Sequence, residues 1–428
     1  MLTNRNPISC EIHAEALTIQ GNFPPGLCGT LYRNGPNPEM GAEPAHWFLG
    51  AGMVHAISIG GGRCAYRNRL VMPKAPGAGK ANTHVVPHAG RLLALEEAHA
   101  PVGLVPETLV MTDAPFPQVP FTAHPKHDPV TGKLVFFGYA VEGRGSRIIR
   151  CGALDAAGNK HWEMHFEAPF CSMIHDMGLT PSYVVLPVLP LIGAARDDAA
   201  FGVSWRPDAG AWLAGLPRGG SARDVRWHEA PTAYAFHIAH TWEEGGRLFL
   251  DLFVYDAPPL FPDASRAITP RNAARLERWS IPLKGPGSVR AGTLHDLPGE
   301  FPRIDDRFAG GLHGATYCTL RTNTERSDFQ AIARLDTEGR HADHFCIGSQ
   351  ASVSEPVFVP RSPDAPADDG WLLALAWRPD WATSRLTVFD ARHIGDGPIA
   401  SVRLPQRVPD GFHGSFLPNI LLSQDMLR

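Results

Sequence analysis

Residues 234–256 read YAFHIAHTWEEGGRLFLDLFVYD. The half that begins at Gly246, GRLFLDLFVYD, is an apolar run of strand length, and EEGG at 243–246 supplies the turn before it. The same pairing of a turn cluster with a short apolar run recurs through the chain. RCAYRNRLV from Arg63 follows GGG at 60–62, GKLVFFGYA from Gly132 follows HDPVTG at 127–132, and GWLLALAW from Gly370 closes PADDG at 366–370. GRLLALEE from Gly90, SYVVLPV from Ser182 and SRLTVFDAR from Ser384 have the same character. Many short strands with regular turns predict an all-β sandwich, barrel or propeller. The length of 428 residues favours a propeller. Seven blades of four strands need about 15 residues per strand and turn. Helices are expected in two places only, at 197–216 and at 270–279, the latter behind Thr269 as N-cap. No internal repeat fixes the blade count, and no linker divides the chain, so 1–428 reads as one propeller domain. The Pro/Gly/Asp-rich stretches at 72–79, 256–270 and 362–370 read as surface loops.

Composition agrees and excludes much else. The chain has 43 glycines and 40 prolines, spread throughout, which would break the long helices of a bundle. A 44% hydrophobic chain with 21 Phe, 10 Trp and 7 Tyr can bury a core, which excludes disorder. A net charge of -4, without long charged blocks, gives no electrostatic footprint for nucleic acid. Seven scattered cysteines without a CxxC pair suggest a reducing, cytoplasmic setting. The first residues carry no apolar signal segment. The most apolar run, YVVLPVLPLI at 183–192, is half the length of a spanning helix. It reads as a buried strand. A hydrophobic lip for a greasy substrate, or a transient contact with a membrane surface, is the competing reading.

Chemistry points to the 20 histidines. Four have distinctive settings: His124 in FTAHPKHDP, His175 in SMIHDMG, His237 in YAFHIAHTWEE and His413 in DGFHGSF. No zinc-finger or HExxH spacing occurs, so no local metal motif exists. A propeller, however, brings distant strand ends together on its axis, and neutral imidazoles are good ligands for Fe(II). A surface or core histidine remains the bland alternative for each.

The blocks GTLYRNGPNP at Gly29, NTHVVPHAGRLLALEE at Asn82, AHPKHDPVTGKLVFFGY at Ala123, MIHDMGLT at Met173, FHIAHTWEE at Phe236, EFPRIDDR at Glu300, SEPVFVPR at Ser354 and GFHGSF at Gly411 occur in this order. Together they resemble the carotenoid cleavage oxygenase family, which includes stilbene-cleaving and retinoid-isomerising enzymes. The resemblance covers nearly the whole chain. It implies a seven-bladed β-propeller with loops and short helices capping the iron-site face. It implies Fe(II) as cofactor, held by His124, His175, His237 and His413. It also implies three glutamates that orient the ligands from behind, mapping to Glu97, Glu300 and Glu355. Glu96 is the rival for the first, and the family pattern Ala-Leu-x-Glu favours Glu97.

The sequence departs from the family at three points. The block Phe48-Leu49-Gly50-Ala51-Gly52-Met53-Val54-His55 has apolar Leu49 and Ala51 where the family has acids, which is expected to alter a turn rather than the iron. His240 stands where Asn is usual, three residues after His237. Residues i and i+3 on a strand face opposite sides, so His240 is not expected to replace His237. Finally, the stretch between Leu70 and Asn82 is compressed.

The activity implied is cleavage of a C=C bond with O2 to give two carbonyl products. A carotenoid or apocarotenoid is the preferred substrate, because the family is dominated by that class. A 4-hydroxystilbene or phenylpropene is the alternative, with Lys80 as the lysine that would anchor a phenolic oxygen. An apolar or phenolic small molecule and O2 are thus the expected partners, with no nucleic acid and the oligomeric state open. A non-catalytic propeller binding module would fit better had a histidine been lost. A Ca²⁺-dependent propeller lactonase would need carboxylates and carbonyls at the centre.

Overall fold

A computed structural model of the chain describes residues 4–38, 47–73, 79–112, 119–193, 202–259, 273–285, 287–312, 314–323 and 325–423. Seven antiparallel sheets follow one another as the blades of a propeller. Blade 2 runs from His84–His88 outward to Met111–Thr112, and blade 3 from Lys126–His127 to Lys160–Glu167. Blade 4 runs from Gly178–Leu179 to Arg226–Ala230, blade 5 from Tyr234–Glu244 to Arg290–His295, and blade 6 from Gly299–Arg303 to Ala342–Cys346.

Blades 1 and 7 join the two ends of the chain. In blade 1, Gly414–Pro418 pairs with Gly29–Asn37, which continues into Ala51–Gly60, Arg63–Val71 and His13–Ala14. In blade 7, Gly370–Trp377 pairs with both Ser352–Val353 and Val357–Pro360, and Ile19–Gly21 closes the far side. Each terminus therefore completes a sheet begun at the other.

The hairpin of blade 5 follows from its sequence. Glu244 faces Arg247 across Gly245 and Gly246, at φ +55° and +73°. A two-residue turn with both central residues left-handed matches strand twist and favours glycine. Leu248, Leu250 and Leu252 alternate into the interface between blades, all fully buried. Every interface between consecutive blades holds such an apolar cluster. Burying each Val, Leu or Ile there contributes about 1.5–3 kcal/mol.

Both helix expectations fail where the residues are described. The stretch at 197–216 is a strand at Val203–Trp205, a single 3-10 turn at Pro207–Ala209 and a strand at Ala211–Pro217. The rest of that stretch, 197–201, lies outside the described residues. Of the stretch at 270–279, residues 270–272 and the N-cap Thr269 lie outside the described residues, and from Arg275 the chain is in the strand Arg275–Pro282, with Leu250 opposite Trp279 and Leu252 opposite Glu277. Pairing against the buried strand Arg247–Tyr255 outweighs the weak local helical preference of Arg-Leu-Glu-Arg. Among the described residues the helical segments are three-residue 3-10 turns, such as Trp47–Leu49 and Asp306–Phe308. The run at 183–192 is the strand Tyr183–Val188 and the start of Leu191–Gly193. Val188, Leu189 and Leu191 are all buried, as the strand reading requires. No described helix is long and apolar enough to cross a membrane. Of the loop stretch at 72–79, residues 74–78 lie outside the described part, as do 260–270 of the stretch at 256–270.

Candidate metal centre

The four singled-out histidines come from four different blades. His124 and His175 lie shortly before the axial strands Lys126–His127 and Gly178–Leu179 of blades 3 and 4, His237 lies within that of blade 5, and His413 precedes the closing strand Gly414–Pro418 of blade 1. All four are buried, and one nitrogen of each lies within 4.8 Å of the others. The Nε2 atoms follow one another at 3.0 Å (His124 to His175), 3.1 Å (His175 to His237) and 3.2 Å (His237 to His413). The axial strand of blade 5 is not regular. Bulges flank Ile238, between Ala235 and Ile238 and between Ile238 and His240, and such bulges re-aim a side chain.

Carboxylates behind the rings set which nitrogens face inward. His175 Nδ1 donates to Glu97, whose other oxygen accepts from Tyr139 Oη at 2.9 Å. His237 Nδ1 donates to Glu300 at 2.5 Å, and His413 Nδ1 to Glu355 at 2.9 Å. Glu355 also accepts from Arg33 Nη1 at 3.1 Å and from the Gly414 amide at 2.9 Å. Glu96 serves elsewhere: it accepts from the Lys80 and Ala81 amides and lies 3.4 Å from His99 Nδ1.

An imidazole that donates through Nδ1 carries a lone pair at Nε2. Three such lone pairs, with that of His124, face a common point. They repel one another unless a cation sits among them. Ligand nitrogens about 2.1 Å from a metal and at right angles to each other are about 3.0 Å apart, which matches the observed spacing. Burial, followed by the neighbouring imidazoles, holds His124 and His413 well below the usual histidine pKa. Burial also pushes His237 down, but Glu300 reverses this and the net direction is up. Neutral nitrogen donors without a thiolate suit iron, copper, nickel or zinc.

A cavity of about 620 Å³ opens over three of these rings, His175, His237 and His413. Phe48, Met173, Phe236, Phe301, Phe329 and Phe412 contribute its apolar walls, and Tyr139, Tyr255 and Arg321 its polar ones. Leu49 belongs to this wall and is 45% exposed, so the loss of the family acid touches the cavity mouth. Ala51 begins the strand Ala51–Gly60. Lys80 is exposed and is not part of the cavity wall. His240 is buried, and its nitrogens do not join the convergent set; burial and then Arg278 hold its pKa down to about 4.

Several contributors went unread in the sequence. Asp176, next to His175, accepts from the Ile238 amide at 2.8 Å and lies 2.7 Å from Lys126 Nζ, tying three of the axial strands together. Phe301 has φ +56°, a left-handed conformation that costs a bulky residue of order 1–3 kcal/mol. Its ring lies 5.4 Å from that of His237 and 5.3 Å from that of His413. His84, on the axial strand of blade 2, packs 5.4 Å from His124 and 5.2 Å from His413. Asp176 had a signal in the sequence, since an acid directly follows a ligand in MIHDMG. The backbone of Phe301 had none.

Comparison with known proteins follows the same lines. The family described as retinal pigment epithelial membrane protein matches residues 6–418. The chain is 29% identical to isoeugenol monooxygenase of Pseudomonas putida, covering 95% of each chain. It is 31% identical to the carotenoid cleavage oxygenase of Mycobacterium tuberculosis, covering 96% of each. The crystal structure of the Pseudomonas brassicacearum lignostilbene dioxygenase superposes with a TM-score of 0.90 at 30% identity, covering 96% of each chain.

Proposed function

The chain belongs to the superfamily of retinal pigment epithelial membrane protein and the carotenoid cleavage oxygenases, with a non-haem iron-binding site of four histidines, and from that membership we propose an iron(II) dioxygenase that splits the C=C bond of an aryl-substituted alkene into two carbonyl fragments. His124, His175, His237 and His413 are the proposed iron ligands, and 1–428 the single catalytic propeller. Bound there, iron supplies the activation of O2. The protein supplies position and dryness. Glu97, Glu300 and Glu355 keep Nδ1 protonated and Nε2 free on three of the rings. Phe236, Phe301 and Phe412 exclude water from the face over the ligands and align a flat conjugated substrate.

The observation that carries the substrate class is the cavity. Its volume lies within the ~300–1,000 Å³ typical of sites for small, drug-sized molecules. Its aromatic walls are interrupted by hydroxyl and guanidinium groups. That mixture supports a stilbene or phenylpropene over a long hydrocarbon. Similarity to relatives named for isoeugenol and lignostilbene points the same way. The apocarotenoid preference from sequence stands as the second reading, favoured by the apolar Leu49 at the mouth and by similarity to a carotenoid cleavage oxygenase.

The test is reconstitution with Fe(II) and a panel of stilbenes, phenylpropenes and apocarotenals under ¹⁸O₂. Labelled aromatic aldehydes are expected. Turnover of apocarotenals with none of the aryl alkenes would reverse the substrate reading. No cleavage of any alkene by the iron-loaded protein would remove the enzymatic one.

A further inference from the structure

Arg321 follows the strand Thr316–Leu320 of blade 6, and its side chain enters the wall of the cavity. The guanidinium lies over the Phe329 ring, 5.3 Å from its centroid. Its Nε and Nη1 are buried and have no hydrogen-bond partner among the described residues. Buried, unpaired donors of a charged group cost more than the ~1–3 kcal/mol of a neutral one, so such a group in a binding cavity calls for a ligand atom.

Other charged groups on this wall have hydrogen-bond partners. Arg5 bonds Ser327 and Asp328, Glu96 takes the Lys80 and Ala81 amides, Glu97 takes His175 and Tyr139, and Glu300 takes His237 and the Phe301 amide through Oε2, its Oε1 being buried without a partner among the described residues. Position adds to this. Phe329 meets Phe301 edge-on at 5.7 Å, and Phe301 lies against His237 and His413. Two phenyl rings thus separate the guanidinium from the ligand imidazoles. A flat arylalkene with its double bond over the histidines and one arm along Phe301 and Phe329 brings the far substituent of that arm to Arg321.

We propose that the substrate carries a carboxylate on this arm and that Arg321 binds it. The inference rests on the alkene-cleavage reading and narrows it to acidic arylalkenes. A planar guanidinium matches a carboxylate through paired, charge-assisted hydrogen bonds, which a phenol or a hydrocarbon end cannot supply. Tyr255 lies beside Arg321 and is a further hydroxyl at the same end.

Equilibrium binding to the iron-free protein separates this inference from the reading beneath it. The probes are bibenzyl-4-carboxylate, 4-hydroxybibenzyl and 4-methylbibenzyl, which share a shape but have no alkene to cleave. The acid is expected to bind wild type about tenfold or more tightly than either neutral probe, as for a hydrogen bond to a charged group. Arg321→Met should abolish that preference, and Arg321→Lys should keep part of it. Both variants should retain wild-type iron content. Equal binding of the three probes, or a preference that survives in Arg321→Met, overturns the proposal. So does loss of iron in Arg321→Met, which would make Arg321 a support for Glu300. Failure of the iron-loaded wild type to cleave any alkene removes the functional reading and leaves the binding result standing.

Discussion

Glu355→Gln tests whether the carboxylates behind the ligands tune the metal. Glu355 is 2% exposed at its side chain and faces His413 and Arg33, each 3% exposed. One oxygen accepts from His413 Nδ1, the other from the Gly414 amide and Arg33 Nη1. The amide keeps the volume but offers a single acceptor oxygen for three donors, and its NH2 adds a donor. Arg33 is already driven by burial down to about 10, against the opposing pull of Glu355. Removing one member of a buried pair costs about 3–5 kcal/mol. The hydrogen bond the amide retains favours the lower figure, whereas Arg303, 3.7 Å away, loses the same counter-charge and adds to the cost. With an unfolding entropy of about 2.1 cal/mol/K per residue, a loss of about 3 kcal/mol lowers Tm by about 3–4 °C in a chain of this length. Disturbing the partner of a ligand lowers metal affinity by about 10–100-fold. The assay is calorimetry on iron-free protein alongside chelator competition for Fe(II). A variant with the lowered Tm but wild-type iron affinity refutes the idea that Glu355 acts on the metal through His413.

Three further outcomes are expected. His124→Ala should leave a folded protein that neither retains iron through dialysis nor cleaves alkenes, and wild-type iron by elemental analysis would count against the ligand set. Asp176→Asn should lower iron occupancy through misplaced His175 and His237 although it removes no ligand; unchanged occupancy and melting would reduce Asp176 to a surface-like role. Acid should weaken the iron-free fold early. Burial and Arg33 hold His55 down to about 3, and burial and Arg278 hold His240 down to about 4. The unfolded chain takes up these protons below about pH 6.5 and the folded one does not, so stability falls with falling pH by about 1.4 kcal/mol per unit for each histidine until the folded pKa is reached. Denaturant midpoints that stay flat from pH 6.5 to 4.5 would contradict this.

The hairpin at Tyr234–Tyr255 could be read because its turn glycines and alternating leucines act locally. The choice of Glu97 over Glu96 came instead from the family pattern Ala-Leu-x-Glu; both residues lie just past the strand Arg91–Leu95, and it is Glu97 that accepts from His175. The helix expected at 270–279 failed because Trp279 and Leu276 are buried by pairing with a strand about 25 residues earlier, a non-local effect. His240 was excluded on strand parity, and it does stand apart from the site. Yet the bulges around Ile238 break the regular parity that the exclusion assumed. The left-handed backbone of Phe301 and the unpaired guanidinium of Arg321 depend on how blades 5, 6 and 7 meet, so residue type alone carries no trace of them.

The strand Gly414–Pro418 has a consequence for biosynthesis. Of the four histidines His413 is made last, 176 residues after His237, and it enters the axis only as this strand pairs with Gly29–Asn37. Until then a nine-residue strand from the start of the chain stands with an unpaired edge, the kind of surface that recruits other chains. A chain in which this strand has not yet paired can gather three of the imidazoles but lacks the fourth. A metal held by these four histidines would therefore act as a clasp on the ring, tying the strand that carries His413 to the first blade.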